Sequence, residues 1–260
     1  MDYKKQVALL LMLLSTQVWS FTFNNSVGAS FENDEVRVDV SNQTCSQLGI
    51  TQSELLSLAG EAVNIYWNSV HTSRLELTKG SIVSTSSLFR TDPICSGSLN
   101  PCIPNPDLIV PSGILIACNT NAANFASTAV LALTVPNNIS GDKLNGALIL
   151  INDNASNQFA GKSREEKISI LAHEIGHAIG LGHSPVDDSL MFHLSIDTRQ
   201  ALGWDDIDGV TYLYPSEQPL GGCGSIENQN SKSGFLIGLL LTFFLGSSIR
   251  SFKFQRPRIA

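Results

Sequence analysis

Four residues that could do chemistry lie between positions 173 and 183 of this 260-residue chain. His173 and His177 are four residues apart, so on a helix both imidazoles project from the same face, about one turn from each other. That spacing suits two nitrogen ligands of a single Zn²⁺ ion. Glu174 lies beside this face, where a carboxylate can reach a metal-bound water without binding the metal. The pattern therefore predicts a zinc centre with a general base next to it.

Gly180 and His183 complete this predicted site. Glycine adopts backbone conformations that other residues resist, so at Gly180 the chain can leave the helix and bring His183 back as a third ligand. Three protein ligands leave a fourth position for water, which is the arrangement of a catalytic zinc site and not of a structural one. The competing interpretation is a pair of histidines in a polar helix groove, and it leaves Gly180, His183 and the later Met191 without a role.

The elements that must position these residues are predicted to form one α+β domain. Two helices open with capping-box sequences, one from Thr51 to Val70 and one from Ser163 to about Ile179. A last helix is predicted from Asp205 to Leu213, with acidic residues in its first turn. The stretch 91–112 is rich in Pro, Asn and Ser and predicts a long loop held by cysteines. Apolar or alternating stretches predict strands at 36–40, 75–78, 114–117, 130–135 and 147–151.

The sequence from His173 to His183 resembles the metzincin zinc motif H-E-x-x-H-x-x-G-x-x-H. It is similar to the matrixin branch in particular, because Ser184 follows the third histidine and Met191 lies where matrixins place the methionine of the Met-turn. The stretch 205–214 is similar to the closing helix of a matrixin catalytic domain. The resemblance covers roughly residues 36–215.

This resemblance implies a metzincin-like α+β fold, with a mixed twisted sheet packed on two long helices plus a C-terminal helix. It also implies a zinc-dependent endopeptidase that hydrolyses peptide bonds in proteins, with a zinc-bound water as nucleophile and Glu174 as general base. His173, His177 and His183 would be the metal ligands, and Met191 would form an apolar floor beneath the metal. We expect a monomer that acts on protein or peptide substrates.

One part of the matrixin pattern is missing after the Met-turn. Matrixins often carry Pro-x-Tyr there, whereas His193-Leu194-Ser195 follows Phe192 in this chain. The pocket preference of matrixins is therefore not carried over. His193 is interpreted as a surface histidine in preference to one that reaches the substrate or the metal.

Two further properties of the site are considered: whether it binds calcium, and whether the protein is catalytic or only binds zinc. Bound Ca²⁺ is common in matrixins, and Asp153, Asp187 and Asp188 are candidate ligands here. No EF-hand-like spacing exists, so solvated acids are the favoured interpretation. The alternative function is a non-catalytic zinc-binding protein on the same scaffold, used for surface adhesion or binding. Inactive relatives most often lose the general base, and Glu174 is present.

Composition and charge limit the possible classes of protein. Hydrophobic residues make up 43% of the chain and charged residues 15%, which excludes a disordered or coiled-coil protein. Residues 21–231 hold nine Lys and Arg against 22 Asp and Glu, a net charge of −13. An acidic body of this kind argues against a nucleic-acid-binding surface. Residues 1–20 combine two lysines, a short apolar run and a terminal Ser20, which predicts a signal peptide and export.

The C-terminal part of the chain has the features of a membrane-targeting segment. The predicted order is a catalytic domain over 21–216, a linker with a Gly/Cys sorting motif over 217–234, a transmembrane segment over 235–249 and a basic cytoplasmic tail over 250–260. This order resembles bacterial C-terminal sorting signals, which a membrane-embedded processing enzyme recognises. Cys223 is then a candidate for lipidation or processing. A plain single-span anchor is the alternative, and a GPI signal is disfavoured because a basic segment follows the apolar tail.

The five cysteines are consistent with this division of the chain. Four of them fall in the exported body, where oxidising conditions favour disulfides, and Cys223 is left over. Four cysteines allow three pairings, of which we favour Cys95 with Cys102 and Cys45 with Cys118. The protein is expected at the cell surface, anchored through its C-terminal segment, or released outside the cell.

Overall fold

A ten-residue strand with a largely apolar sequence, Lys143–Asn152, pairs with three other strands of the main sheet. Strands that are covered on both faces are apolar throughout and do not alternate, which is typical of parallel sheets. The computed structural model of the protein describes residues 21–99, 102–127, 129–154, 157–194 and 199–216. The bounds and contacts below refer to these residues.

The main sheet is mixed and has six strands in these parts of the chain. The strands are β1 (Ser30–Phe31), β2 (Glu35–Ser41), β3 (Glu76–Val83), β4 (Cys95–Leu99), β5 (Cys102–Pro104), β6 (Gly113–Asn119), β7 (Ala132–Ser140) and β8 (Lys143–Asn152). The order in the main sheet is β1-β8-β6-β2-β3, and β7 pairs with β8 as well. All pairs in the main sheet are parallel except the antiparallel pair of β7 and β8. A separate two-stranded hairpin consists of β4 and β5.

Two long helices and one shorter C-terminal helix accompany the sheet. They are α1 (Gln52–Ile65), α3 (Arg164–Ala178) and α4 (Trp204–Leu213), and a single turn, α2 (Leu88–Thr91), lies between β3 and β4. Helix α1 packs on α3, and both contact the sheet. The predicted α+β fold, with a mixed sheet on two long helices and a closing helix, is confirmed.

Each face of the sheet has its own apolar core, because side chains alternate along a strand. On one face, Ile149 and Ile151 of β8 join the large core that α1 and α3 cover. On the other face, Leu148 and Leu150 join a smaller core under the segment 88–110. The site-bearing helix α3 therefore lies on the larger core, and its residues 168–178 are all buried.

The segment 91–112 differs from the predicted long loop. It contains the β4–β5 hairpin and a 3₁₀ turn at Pro106–Leu108. Ile94 and Leu108 are buried in the smaller core, so this segment is the cover of the outer face. The favoured disulfides are both present: Cys45 with Cys118, and Cys95 with Cys102 across the hairpin.

Several predicted elements are present with different ends. Helix α1 stops at Ile65, and the chain continues as a 3₁₀ turn, Trp67–Ser69, not as α-helix to Val70. The reason is the Trp67 side chain, which is buried and whose indole Nε1–H donates to the Ala172 carbonyl of α3, 2.8 Å away. The first strand, Ser30–Phe31, was not predicted, because two residues carry no periodic signal.

Two predicted targeting segments lie outside the described residues. They are the signal peptide over 1–20 and the C-terminal region from 217 onward, which includes Cys223 and the predicted span 235–249. Within the part of the chain that the structure describes, no helix has the length and apolar character needed to cross a membrane.

Candidate active site

Helix α3 places His173 and His177 on one face and buries both. The helix begins with a complete capping box, in which Ser163 and Glu166 satisfy each other's backbone N–H groups. The two imidazole rings lie with their centroids 4.6 Å apart, as expected for positions one turn apart. Both rings face a cleft of about 910 Å³ on the surface of the protein.

The turn after α3 brings His183 to the same cleft. Gly180 has φ +110°, a backbone conformation that favours glycine, and a Cβ at this position would lie 2.9 Å from the Ala29 carbonyl oxygen. The Leu181 N–H then donates to the Gly176 carbonyl, 3.0 Å away, which closes the end of the helix. His183 is more exposed than the other two histidines.

Residues 22–24, near the start of the described chain, form hydrogen bonds to this turn. Thr22 accepts a hydrogen bond from the Gly182 N–H at 2.7 Å, and its hydroxyl donates to the His183 carbonyl at 2.6 Å. Asn24 donates through its backbone N–H to the Gly180 carbonyl at 2.8 Å. The backbone groups of Gly180, Gly182 and His183 are thus held from outside the motif, by residues 22–24.

The histidine rings are oriented for metal binding through Nε2. His173 Nδ1 lies 2.7 Å from the Leu190 carbonyl oxygen, and His177 Nδ1 lies 2.8 Å from that of Leu181. A carbonyl only accepts, so each Nδ1 carries the proton and each Nε2 keeps its lone pair. Buried or half-buried imidazoles arranged in this way are the usual ligands of zinc.

The distances between the rings fit a zinc ion. Ligand nitrogens of the three histidines lie within 4.8 Å of one another. Nε2 of His177 and Nε2 of His183 are 3.3 Å apart, and two ligands about 2.0–2.1 Å from a tetrahedral zinc ion have about this separation. No other cluster of His, Cys, Asp or Glu in the described ranges converges in this way.

The pKa values of the histidines favour their neutral form. Burial lowers the pKa of His173 to about 4, and the hydrogen bond to Leu190 only partly opposes this. Burial, followed by the proximity of His173, also lowers the pKa of His177 well below its usual value. The pKa of His183 is lowered by burial and then by His193. Neutral imidazoles are the form that binds metal, so the site keeps its ligands available at neutral pH.

Glu174 lies beside the histidines and is almost completely buried. Burial raises the pKa of its carboxyl to about 7, and a hydrogen bond from Thr134 opposes the rise. The Thr134 hydroxyl lies 2.5 Å from Glu174 Oε2. A carboxyl group with a pKa near neutrality can both accept and return a proton at neutral pH.

Met191 lies in a turn that packs against α3, as the Met-turn resemblance implies. It is 2% exposed, and a Cβ on Gly176 would collide with its sulfur and with the Trp67 ring. The turn is anchored by Asp206 of α4, whose carboxylate accepts hydrogen bonds from the backbone N–H groups of Leu190 at 2.6 Å and Met191 at 3.0 Å. Leu190 is the residue whose carbonyl orients His173, so α4 is linked to the histidine cluster through one residue.

The other candidate residues from the sequence are His193 and three aspartates, and they differ in how far they are buried. His193 is exposed and also lines the cleft, with its ring centroid 6.3 Å from that of His183. Asp153 is not a solvated acid: it is fully buried, and its carboxylate accepts from three backbone N–H groups at 46–48. Asp187 and Asp188 are exposed.

Three contributors to the site were not predicted from the sequence. They are the segment 22–24, Thr134 and the role of Asp206 as an anchor of the Met-turn. For Thr134 a signal exists, because its hydroxyl interrupts the apolar stretch 130–135 that predicts a buried strand. For the segment 22–24 no signal of residue type exists, since two of its four hydrogen bonds to residues 177–183 come from backbone groups and two from the common side chains of Thr22 and Asn24.

Known proteins with similar sequences are metalloproteases. Residues 121–215 match the matrixin family. Metalloendoproteinase 5-MMP of Arabidopsis thaliana is 42% identical over 67 residues, which are 25% of this chain and 19% of that protein. The interstitial collagenase of Sus scrofa is 45% identical over 53 residues, which are 20% of this chain and 11% of that protein.

The similarity is confined to one part of each relative. Matrix metalloproteinase-27 of Homo sapiens, for example, is 46% identical over 48 residues, which are 17% of this chain and 9% of that protein. The chain therefore spans less than a fifth of the length of these relatives. The matched residues contain the three histidines, Glu174 and the Met-turn. Residues 121–215 are therefore similar to the matrixin family, and the histidine cluster that they contain is suited to a zinc ion.

Proposed function

We propose that this protein is an exported zinc-dependent endopeptidase. The observation that carries the proposal is the convergence of three neutral imidazoles on one point, next to a buried carboxyl group, at the floor of an open cleft. The similarity to matrixins supports the same reaction class. Each residue then has a separate role.

His173, His177 and His183 hold the metal, and the bonds from Nδ1 to backbone carbonyls keep the first two rings in place. Zinc held there would act as a Lewis acid, which would polarise the scissile carbonyl and lower the pKa of a water molecule to about 7. Glu174 accepts a proton from that water at its carboxylate and later delivers it to the leaving amine. Met191 supports the ligands from below through its packing on α3.

The shape of the cleft supports an extended peptide as substrate. A second cavity of about 920 Å³ shares Phe23, Asn24, Leu133 and Thr134 with the cleft at the metal site. The two cavities therefore form a groove, with strand β7 on one side and residues 22–26 on the other. A groove of this length suits a chain segment better than a small molecule.

The test is cleavage of a mixed peptide library by the zinc-loaded full chain and by its Glu174→Gln variant. We expect the variant to bind one zinc per chain and to lose about 10²–10⁴-fold in kcat/KM. The matched control is Glu165→Gln in the exposed first turn of the same helix, which is expected to keep the parent's activity. Equal cleavage by the parent and Glu174→Gln would overturn the proposal. If neither the parent nor Glu174→Gln cleaved any peptide while zinc was bound, the alternative of a non-catalytic zinc-binding protein would be favoured.

Export and membrane attachment are further parts of this proposal. We infer that residues 1–20 direct export, and that the segment 235–249 with its basic tail attaches the protein to a membrane, with Cys223 as the site of processing or lipidation. The sequence features support this inference. Fractionation of a host that expresses the full chain tests it. The parent is expected at the membrane or outside the cell, and Cys223→Ser is expected to change the mass or the fraction of the mature protein.

A further inference from the structure

Thr134 is the one residue of the strand beside the cleft that hydrogen-bonds to Glu174. Its Oγ1 lies 2.5 Å from Glu174 Oε2 and 3.3 Å from the backbone carbonyl oxygen of Glu174. Both residues are 7% exposed, so little water competes for these groups. The hydroxyl can donate to the carboxylate when Glu174 is ionised. When Glu174 is protonated, it can accept from the carboxyl and donate to the carbonyl instead.

The position of Thr134 follows from the pairing of β7. The strand pairs with β8 in antiparallel register, with Thr134 opposite Ile149. Side chains alternate along the strand, and Ala132, Thr134 and Pro136 are buried while Leu133 and Val135 between them are half-buried. Thr134 therefore faces α3, and its β-branched side chain has restricted rotation about χ1. The hydroxyl is held where the carboxylate of Glu174 lies.

Packing alone does not require a hydroxyl at this place. Valine has the same shape, and the neighbouring residues of the stretch 130–136 are apolar except Thr134. A buried hydroxyl without a partner is destabilising, so its cost is offset here by the bond to Glu174. Thr78 in β3 offers a comparison, because its buried hydroxyl has no hydrogen-bond partner in the described part of the chain.

We propose that Thr134 is a positioning residue for the general base. Its hydroxyl holds Glu174 Oε2 in place, and so it leaves Oε1 to exchange protons with the attacking water and the leaving amine. The proposal rests on the proposed function, since Glu174 acts as a base only in that reaction. In this role the Thr134 hydroxyl acts through Glu174, because both of its hydrogen bonds are to that residue.

The first test compares Thr134→Val, Thr134→Ser and Thr78→Val as zinc-loaded full chains. Thr134→Val is expected to lower kcat about 10- to 100-fold with KM within twofold of the parent, because the substrate contacts are unchanged. Thr134→Ser keeps the hydroxyl and is expected within about threefold of the parent. Thr78→Val is expected to match the parent. A parent-like kcat for Thr134→Val would overturn the proposal, as would equal losses for the Val and Ser variants.

The second test does not depend on activity. Urea unfolding of the metal-free protein measures the coupling between Thr134→Val and Glu174→Ala in a double-mutant cycle. Thr134→Val is expected to raise the unfolding equilibrium constant about tenfold in the parent and less than threefold in the Glu174→Ala background. Equal effects in both backgrounds would overturn the proposed contact. A parent that cleaves no peptide would contradict the proposed function, while this coupling would still report on the bond between Thr134 and Glu174.

Discussion

At the scale of single residues, the chemistry of this site depends on which ring nitrogen of each histidine carries the proton. Backbone carbonyls take the Nδ1–H of His173 and His177, and burial keeps these rings neutral. The same environment makes protonation of the rings costly. Acid is therefore expected to destabilise the metal-free protein.

The pH dependence of stability gives the prediction at this scale. The unfolded chain binds a proton on each histidine near pH 6.5, whereas folded His173 does so only near pH 4. Between these values the unfolded state binds more protons, so the free energy of unfolding falls as the pH falls, by at most about 1.4 kcal/mol per pH unit for each histidine. Urea unfolding of metal-free parent and His173→Asn between pH 7.5 and 4.5 measures this slope. The variant is expected to have the shallower slope, and equal slopes would contradict the pKa assignment.

At the scale of elements, the site is made where four segments meet. Helix α3 supplies two of the proposed ligands and the proposed base, and the turn after it supplies the third proposed ligand. Residues 22–24 hold that turn, and Asp206 of α4 holds the Met-turn. The Asp206 carboxylate also accepts from the Ser189 hydroxyl and from the Gly203 N–H at 2.8 Å. One buried carboxylate thus organises a loop that the metal ligands contact.

Replacement of Asp206 by Asn tests this arrangement. The amide keeps the shape of the side chain but turns one acceptor oxygen into a donor that faces N–H or O–H groups. We expect a loss of about 3 kcal/mol in the free energy of unfolding. Zinc affinity is expected to fall about 10- to 100-fold, because Leu190 no longer holds His173 as firmly. The matched control is Asp208→Asn on the exposed side of α4, expected to change neither quantity. If Asp206→Asn had the zinc affinity of the parent, the Met-turn would not be needed to hold His173 in position for the metal.

At the scale of the whole molecule, two disulfides join cysteines at very different separations along the chain. Cys118 at the end of β6 is joined to Cys45 in the loop after β2, and the bond closes a sequence separation of 73 residues. Cys95 and Cys102 are only seven residues apart and hold the hairpin that covers the outer core. The two bonds therefore constrain the unfolded chain to very different degrees.

Removal of the two disulfides is therefore expected to lower the free energy of unfolding by different amounts. Loop-closure entropy predicts a loss of about 4 kcal/mol for Cys45→Ala with Cys118→Ala, and about 2 kcal/mol for Cys95→Ala with Cys102→Ala. Urea unfolding of the two double variants measures both values. Cys223→Ala serves as the control and is expected to leave the urea midpoint unchanged, since the four body cysteines are paired without it. A larger loss for the hairpin bond would contradict this account.

Much of the fold could be predicted from local patterns. The capping box at Ser163 and the periodicity of α3 gave its start and end within one residue, and the apolar stretch 147–151 lies within β8. The pattern failed where packing decided the conformation. Helix α1 ends early because the buried Trp67 side chain reaches α3, and the polar segment 91–112 forms a cover because its few apolar residues pack on the outer face.

The sequence by itself determined the type of chemistry, because metal ligands and a base at fixed helical spacing depend only on residue types and the geometry of a helix. It also determined the order of the main elements, whereas the choice among the three possible pairings of the four body cysteines was made by the tertiary structure. Only the tertiary structure decided that Thr134 meets Glu174, that Asp206 holds the Met-turn and that residues 22–24 hold the turn before His183. These contacts join residues that are 15 to 161 positions apart in the chain. Such contacts form only when the sheet, the helices and the first residues pack together, and no local pattern records them.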